Sequence, residues 1–167
     1  MTATVYSDAS FCYKTDVAAC GFCAIVEGKL IKHQVQLVAN LGTPAICEIF
    51  ALTEAIQFAF LIPGVTKIVA FTDYEPILTR KKTRSKYEDL DITIEICRES
   101  GISVSICHVK GHSGDKYNTI VDKSCNKSLK KYLHGDKETK KRKTSFGFSF
   151  HNHPLRRNGK GIPIPKQ

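Results

Sequence analysis

Five side chains are best placed in the sequence to do chemistry: Asp8, Glu48, Asp73, His112 and Asp122. His112 stands in Lys110-Gly111-His112-Ser113-Gly114, a polar loop whose two glycines let the backbone come close to a ligand. Asn118 follows the histidine by six residues and Asp122 by ten, within a stretch from Tyr117 to Leu133 that reads as a helix. Asp8 and Asp73 each come directly after a strand-like run, and Glu48 falls in the first turn of a predicted helix. Four acids delivered to one small site by four elements repel one another, and that repulsion calls for cations. Hard divalent ions with oxygen ligands relieve it, and magnesium suits a site of carboxylates, phosphate and water. Two such ions, about 4 Å apart, would activate water and stabilise the leaving oxygen of a phosphodiester. Taken singly, each acid is more simply a solvated surface charge. Their order along the chain, strand-Asp, helix-Glu, strand-Asp, His-loop, helix-Asp, is what points to catalysis.

The elements that must position these residues are also legible. Thr2 to Ser7 is a short β-rich run. Val17 to Val26 and Leu30 to Leu37 read as two more strands, joined through Glu27-Gly28-Lys29, a turn short enough for a hairpin. Thr43-Pro44 marks a helix start, with threonine as N-cap and proline at the first helical position. Ile46, Ile49, Phe50, Thr53, Ile56, Gln57 and Phe60 continue it at a 3.6-residue period until Pro63-Gly64. Lys67 to Phe71 is a compact apolar strand. Glu75 to about Arg84 reads as a short helix, Asp89 to Ser100 as another stopped by Gly101, and Ile102 to Val109 as an alternating fifth strand. The order β-β-β-α-β-α-α-β-α predicts an α/β domain with a mixed sheet, its later strands parallel through right-handed crossovers. If the strands before Asp8 and Asp73 are parallel neighbours, both carboxylates emerge at the carboxyl edge of the sheet, where open α/β folds bind ligands.

The Lys-Gly-His-Ser-Gly loop with Asn118 and Asp122 behind it, together with the three upstream acids, resembles the type 1 ribonucleases H over roughly residues 2–133. The resemblance implies a ribonuclease H-like fold, a five-stranded mixed sheet flanked by helices. It implies that Asp8, Glu48, Asp73 and Asp122 bind two magnesium ions, with manganese able to substitute, and hydrolyse the RNA strand of an RNA–DNA hybrid. By the same resemblance His112 assists proton handling or product release, and Ser10 and Asn118 contact substrate. The chain departs from the family pattern at several points. Ala9 follows the first aspartate where glycine is usual, and Tyr74 follows the third acid where serine is common. Pro44-Ala45-Ile46-Cys47 stands where many members carry an asparagine that contacts RNA. Only 39 positions separate Asp73 from His112, too few for a long basic handle, and the chain has no tryptophan. A compact, handle-less member is expected.

Charge is unevenly spread. Residues 135–167 hold nine Lys/Arg and two acids and so carry +7 of the net +9, leaving a nearly neutral body. We therefore divide the chain into a catalytic domain over 1–134 and a basic tail over 135–167, a flexible or nucleic-acid-binding segment. Within the tail, Phe146, Phe148 and Phe150 alternate as a docked strand or a base-stacking surface would. His151-x-His153 is too sparse for a metal site. In the body, Arg80, Lys81, Lys82, Arg84 and Lys86 form a cationic run expected to grip phosphates without reading sequence. The seven cysteines are scattered, most of them in apolar runs, where a free thiol packs as a small hydrophobe. Cys20-x-x-Cys23 lacks the second pair a zinc site needs. With no signal peptide and no long apolar run, we expect a reduced, cytoplasmic, soluble monomer without membrane contact, whose partner is an RNA–DNA hybrid. Two other classes fit the same residues: a nucleic-acid-binding module with decayed activity, and another two-metal nuclease such as a resolvase, transposase or exonuclease. The histidine loop ten residues before the last acid favours the ribonuclease.

Overall fold

The structure, a computed structural model, describes residues 1–80, 85–111 and 114–135. Three strands come first: β1 (Thr2–Cys12), β2 (Val17–Val26) and β3 (Lys29–Ala39). They are followed by α1 (Pro44–Phe60), β4 (Lys67–Thr72), α2 (Glu88–Glu99), β5 (Ser103–His108) and α3 (Lys116–His134). The five strands make one sheet in the order β3-β2-β1-β4-β5. The first three pair antiparallel, while β4 joins β1, and β5 joins β4, in parallel. The mixed sheet, with helices α1, α2 and α3, is therefore as the sequence leads one to expect.

Local chemistry explains the pieces. Glu27 and Gly28 both take positive φ, 50° and 75°, the paired left-handed geometry of a tight turn whose twist suits a β-hairpin. Thr43 caps α1, its hydroxyl accepting from the Ile46 amide, and Pro44 occupies the first turn, where no amide partner is needed. Gly101, at φ 76°, turns the chain out of α2.

Alternation along β1 separates two cores. Ala3 and Val5, with Ile68 and Ala70, bury against Leu52, Ile56, Leu90 and Cys97 on the side of α1 and α2. Tyr6, Cys23 and Ile25 bury against Val121, Cys125 and Leu129 of α3 on the other side. Cys20 packs with Cys47 of α1, whereas Cys23 belongs to the α3 side. An odd separation in a strand puts two side chains on opposite faces, so these two thiols cannot share a metal.

Three expectations need correction. Asp8 does not follow β1 but lies inside it, because β2 continues to pair with β1 through Cys12↔Val17. Glu48 sits in the second turn of α1, since the helix begins at Pro44. Of the helix expected from Glu75 to Arg84, the described residues 75–80 form only a single 3-10 turn, Glu75–Ile77, and a second such turn, Ser85–Tyr87, leads into α2. Ile77 is buried there while Leu78 is exposed, so the segment has no apolar stripe to hold a longer helix against the core. The tail from 136 onward, with its phenylalanines and histidines, lies outside the described residues. Among the described residues no helix is long and apolar enough to cross a membrane.

Candidate active site

Sheet register brings the first two acids together. The parallel pairing of β1 and β4 runs to Tyr6↔Phe71, and two further residues along each chain set Asp8 level with Asp73. Glu48 reaches the same point from α1, which packs along β1 and β2 on its own face. Oxygen atoms of Asp8, Glu48 and Asp73 lie within 4.8 Å of one another. One backbone amide ties two of them: Ala9 N–H donates to Asp8 Oδ1 at 2.8 Å and to Glu48 Oε1 at 3.3 Å. The other Glu48 oxygen, Oε2, is buried and accepts no hydrogen bond within the protein.

Burial and crowding leave Asp8 and Glu48 reluctant to ionise. Asp8, only 6% exposed, is pushed up to about 7, first by burial and next by the charge of Asp73, with the Ala9 amide pulling the other way. Glu48 is held well above the ordinary carboxylate range by burial, then by Asp8 and Asp73. Without a cation the acids repel one another, and the natural counterweight is a hard divalent ion bound by oxygen. A buried carboxylate oxygen with no partner, in a cluster of three acids, fits that ion.

The chain after β5 closes on this cluster. Val109 N–H donates to the Thr72 carbonyl at 3.0 Å, extending the β4–β5 pairing to the residue before Asp73. Gly111 then passes so close that a Cβ there would lie 3.1 Å from Asp73 Oδ2. Glycine is what permits the approach. His112 and Ser113 lie outside the described residues. Beyond them Asp115 caps α3, its Oδ1 accepting from the amides of Tyr117 and Asn118.

Asp122 stands on α3 outside the tight group of three, although its charge contributes to raising Asp8. Its Oδ1 accepts a 2.6 Å hydrogen bond from Asn126 Nδ2, one helical turn on. Asn118 is buried on α3, and its Oδ1 also accepts no hydrogen bond. Ser10 lies on β1 opposite Ala19, partly exposed.

The cationic run divides. Arg80 is engaged internally: its guanidinium is paired with Asp91 at 3.0 Å and donates to the Ile77 carbonyl. That fastens the end of the first 3-10 turn to α2 and gives Arg80 internal partners. Lys86 is half-buried, with its ammonium 3.3 Å from the Tyr74 hydroxyl and over the Tyr87 ring. Lys81, Lys82 and Arg84 lie outside the described residues.

Two residues at this site escaped the sequence reading. Tyr6 stacks on Phe71 with ring centroids 4.7 Å apart and tilts against Tyr117, and its hydroxyl donates to Asp115 Oδ2 at 3.4 Å. Burial, then the Asp115 carboxylate, push that hydroxyl up to about 12, so it remains a donor. An Asp just before a helical run is a cap signal and could have flagged Asp115. No local signal links it to Tyr6, which is 109 positions away.

The model of the family described as RNase H matches residues 1–130 of the chain. Among solved structures, the N-terminal RNase H domain of a Mycobacterium tuberculosis protein superposes with a TM-score of 0.63 at 15% identity. The match covers 80% of this chain and 96% of that one. RNase H1 of the halophilic archaeon Halobacterium salinarum superposes with a TM-score of 0.59 at 22% identity, covering 78% of this chain and 98% of that one. No curated protein matches the chain. At these identities the solved structures speak for the fold, while the match over 1–130 decides the family: the chain belongs to the RNase H family.

Proposed function

We propose that the chain is an endoribonuclease that hydrolyses the RNA strand of RNA–DNA hybrids, the substrate class of its family, with Asp8, Glu48, Asp73 and Asp122 holding two magnesium ions. The observation that carries this reading is the convergence of Asp8, Glu48 and Asp73 within 4.8 Å around a buried, unpartnered Glu48 oxygen. When bound, the ions supply an activated water and stabilise the charge on the leaving oxygen. The rest is the work of the chain. The Ala9 amide fixes two carboxylates in one orientation before any ligand arrives. Gly111 lets the loop backbone lie against Asp73. His112, the next residue, takes or gives a proton as product leaves. Ser10 and Asn118 contact the substrate, and Lys86, Lys81, Lys82 and Arg84 neutralise its phosphates. Arg80, paired with Asp91, is the least available of the run for such a contact.

A binding module with decayed activity has no use for acids crowded within 4.8 Å of one another, two of them pushed above the ordinary carboxylate range, and their presence favours the enzyme. The discriminating experiment is incubation with labelled RNA–DNA hybrid, double-stranded RNA and double-stranded DNA, each with and without magnesium. Magnesium-dependent cleavage confined to the RNA of the hybrid is expected. Cleavage of duplex DNA would indicate a different nuclease of this fold, and binding without cleavage of any substrate would indicate the decayed module.

A further inference from the structure

We infer that the outer face of α3 binds the phosphate backbone of the substrate where it continues beyond the cleaved segment. The inference rests on the reading of the chain as a hybrid nuclease given above. α3 carries five lysines and Asp122 as its only acid, whereas α2 carries five acids and one arginine. The two helices pack on opposite faces of the sheet, so a body that is nearly neutral as a whole has one positive and one negative side.

The cations of α3 form a line. Lys116, Lys123, Lys127 and Lys130 follow one another at seven, four and three residues, which at about 3.6 residues per turn sets them on one side of the helix. All four are exposed. The opposite side, with Asn118, Val121, Cys125 and Leu129, is buried. Asp122 lies about 100° around the helix from Lys123, where its charge reaches Asp8. From Lys116 to Lys130 the line runs about 21 Å.

Nothing on the helix offsets this charge. Among the described residues none of the four ammonium groups pairs with a carboxylate. At three- and four-residue spacing Lys127 meets Lys123, Lys130, Lys131 and an uncharged serine, and like-charge neighbours at that spacing destabilise a helix. Lys116 stands in the first turn, against the positive end of the helix dipole, with its ammonium 5.2 Å from the centre of the Tyr117 ring. A line of one sign, kept at a cost to its own helix, fits a polymer of regularly repeated negative charge. Two observations select nucleic acid. The line begins at the catalytic edge, because Lys116 follows Asp115, whose carboxylate accepts the hydroxyl of Tyr6, two residues before Asp8. The apolar side of α3 is used on the sheet, which leaves none to enter a bilayer. A strand advancing about 3.4 Å per phosphate passes about six phosphates along the line, enough for each lysine to meet one.

The test uses the full chain and a triple variant, Lys123→Gln, Lys127→Gln and Lys130→Gln, which leaves every proposed site residue in place. Affinity is measured from low to moderate salt for a blunt hybrid, and for the same hybrid with a single-stranded or a duplex extension long enough to cover α3. Wild type should bind an extended substrate more tightly than the blunt one, with a salt slope steeper by about two to three units, as three phosphate contacts give. The variant should bind extended and blunt hybrid alike. A gain with either extension supports the assignment, and its size on each names the strand form that the helix takes. The rate at saturating blunt hybrid should be unchanged, and the melting temperature equal to that of wild type or higher, since like charges have been removed. An extension that brings wild type no gain would overturn the inference, as would a gain that survives in the variant. So would a variant that loses binding to vesicles of anionic lipid, or loses self-association through the acids of α2, while its hybrid binding stays that of wild type. Failure of wild type to cleave hybrid would sink the underlying reading instead, and the affinity comparison would still decide this one.

Discussion

At the scale of single residues the site is a set of acids held together against their own repulsion. Asp8 has a folded pKa of about 7 against an ordinary value near 3.8, and a raised acid binds its proton more tightly in the folded than in the unfolded state. The stability this proton provides is fully present below about pH 4 and is lost as pH rises through about 7. Metal-free protein should therefore lose stability over that window, by up to roughly 1.4 kcal/mol per pH unit for one proton. Glu48→Gln removes one of the charges and should make the metal-free protein more stable than wild type at pH 8, by on the order of 1–3 kcal/mol, with a smaller gain at pH 4. Saturating magnesium should restore the wild type at pH 8 and do much less for the variant. Thermal denaturation of both proteins at the two pH values, with and without magnesium, reads all of this. A stability difference that does not change with pH would mean that the acids do not repel one another in the folded state.

At the scale of elements, what was legible in the sequence followed from local rules, and what was not followed from pairing. Thr43-Pro44 announced α1 because cap and first-turn preferences are local, and Gly101 ended α2 for the same reason. Asp8-Ala9-Ser10 reads as the end of a strand because small polar residues favour turns, yet β2 pairs with it for four more residues after Asp8. Tertiary pairing overrode propensity there. The register that sets Asp8 beside Asp73, and the Tyr6–Asp115 contact, join residues far apart in sequence and leave no local trace. A further demand of packing appears at Gly21, which faces Asp8 across the β1–β2 ladder. A Cβ there would lie 2.7 Å from Cys125 Sγ on α3, 2.9 Å from Val35 Cγ2 and 3.1 Å from the Gln34 carbonyl. Gly21→Ala should therefore destabilise the protein by about 1–3 kcal/mol, because the backbone oxygen cannot yield as a side chain can. Cys125→Ala in the same background should recover part of that loss. Denaturant midpoints of the three proteins check it, and an unchanged midpoint for Gly21→Ala would show that α3 is not seated on β2 as described.

At the scale of the whole molecule, residues 1–134 are nearly neutral and hold the described elements and the acids, while residues 135–167 carry most of the net positive charge. Residues 1–130 span the family match, and α3 closes the fold at His134. Truncation after Gly135 should leave a folded enzyme whose rate at saturating hybrid is close to that of the full chain. The tail's nine Lys/Arg against two acids should act through phosphate neutralisation, so losing even three phosphate contacts should flatten the salt slope of hybrid binding by about two to three units. Binding measured from low to moderate salt on both proteins decides this, and an unchanged slope would make the tail a passive extension. The central claim, that these carboxylates catalyse hybrid hydrolysis, is tested most directly by Asp73→Asn in the full chain. Cleavage of labelled hybrid and its binding are to be measured side by side in magnesium. The account predicts cleavage lost by at least about a thousandfold, as expected when several kcal/mol of metal-assisted stabilisation disappear, with hybrid affinity and melting temperature retained. Turnover within about tenfold of wild type would contradict it.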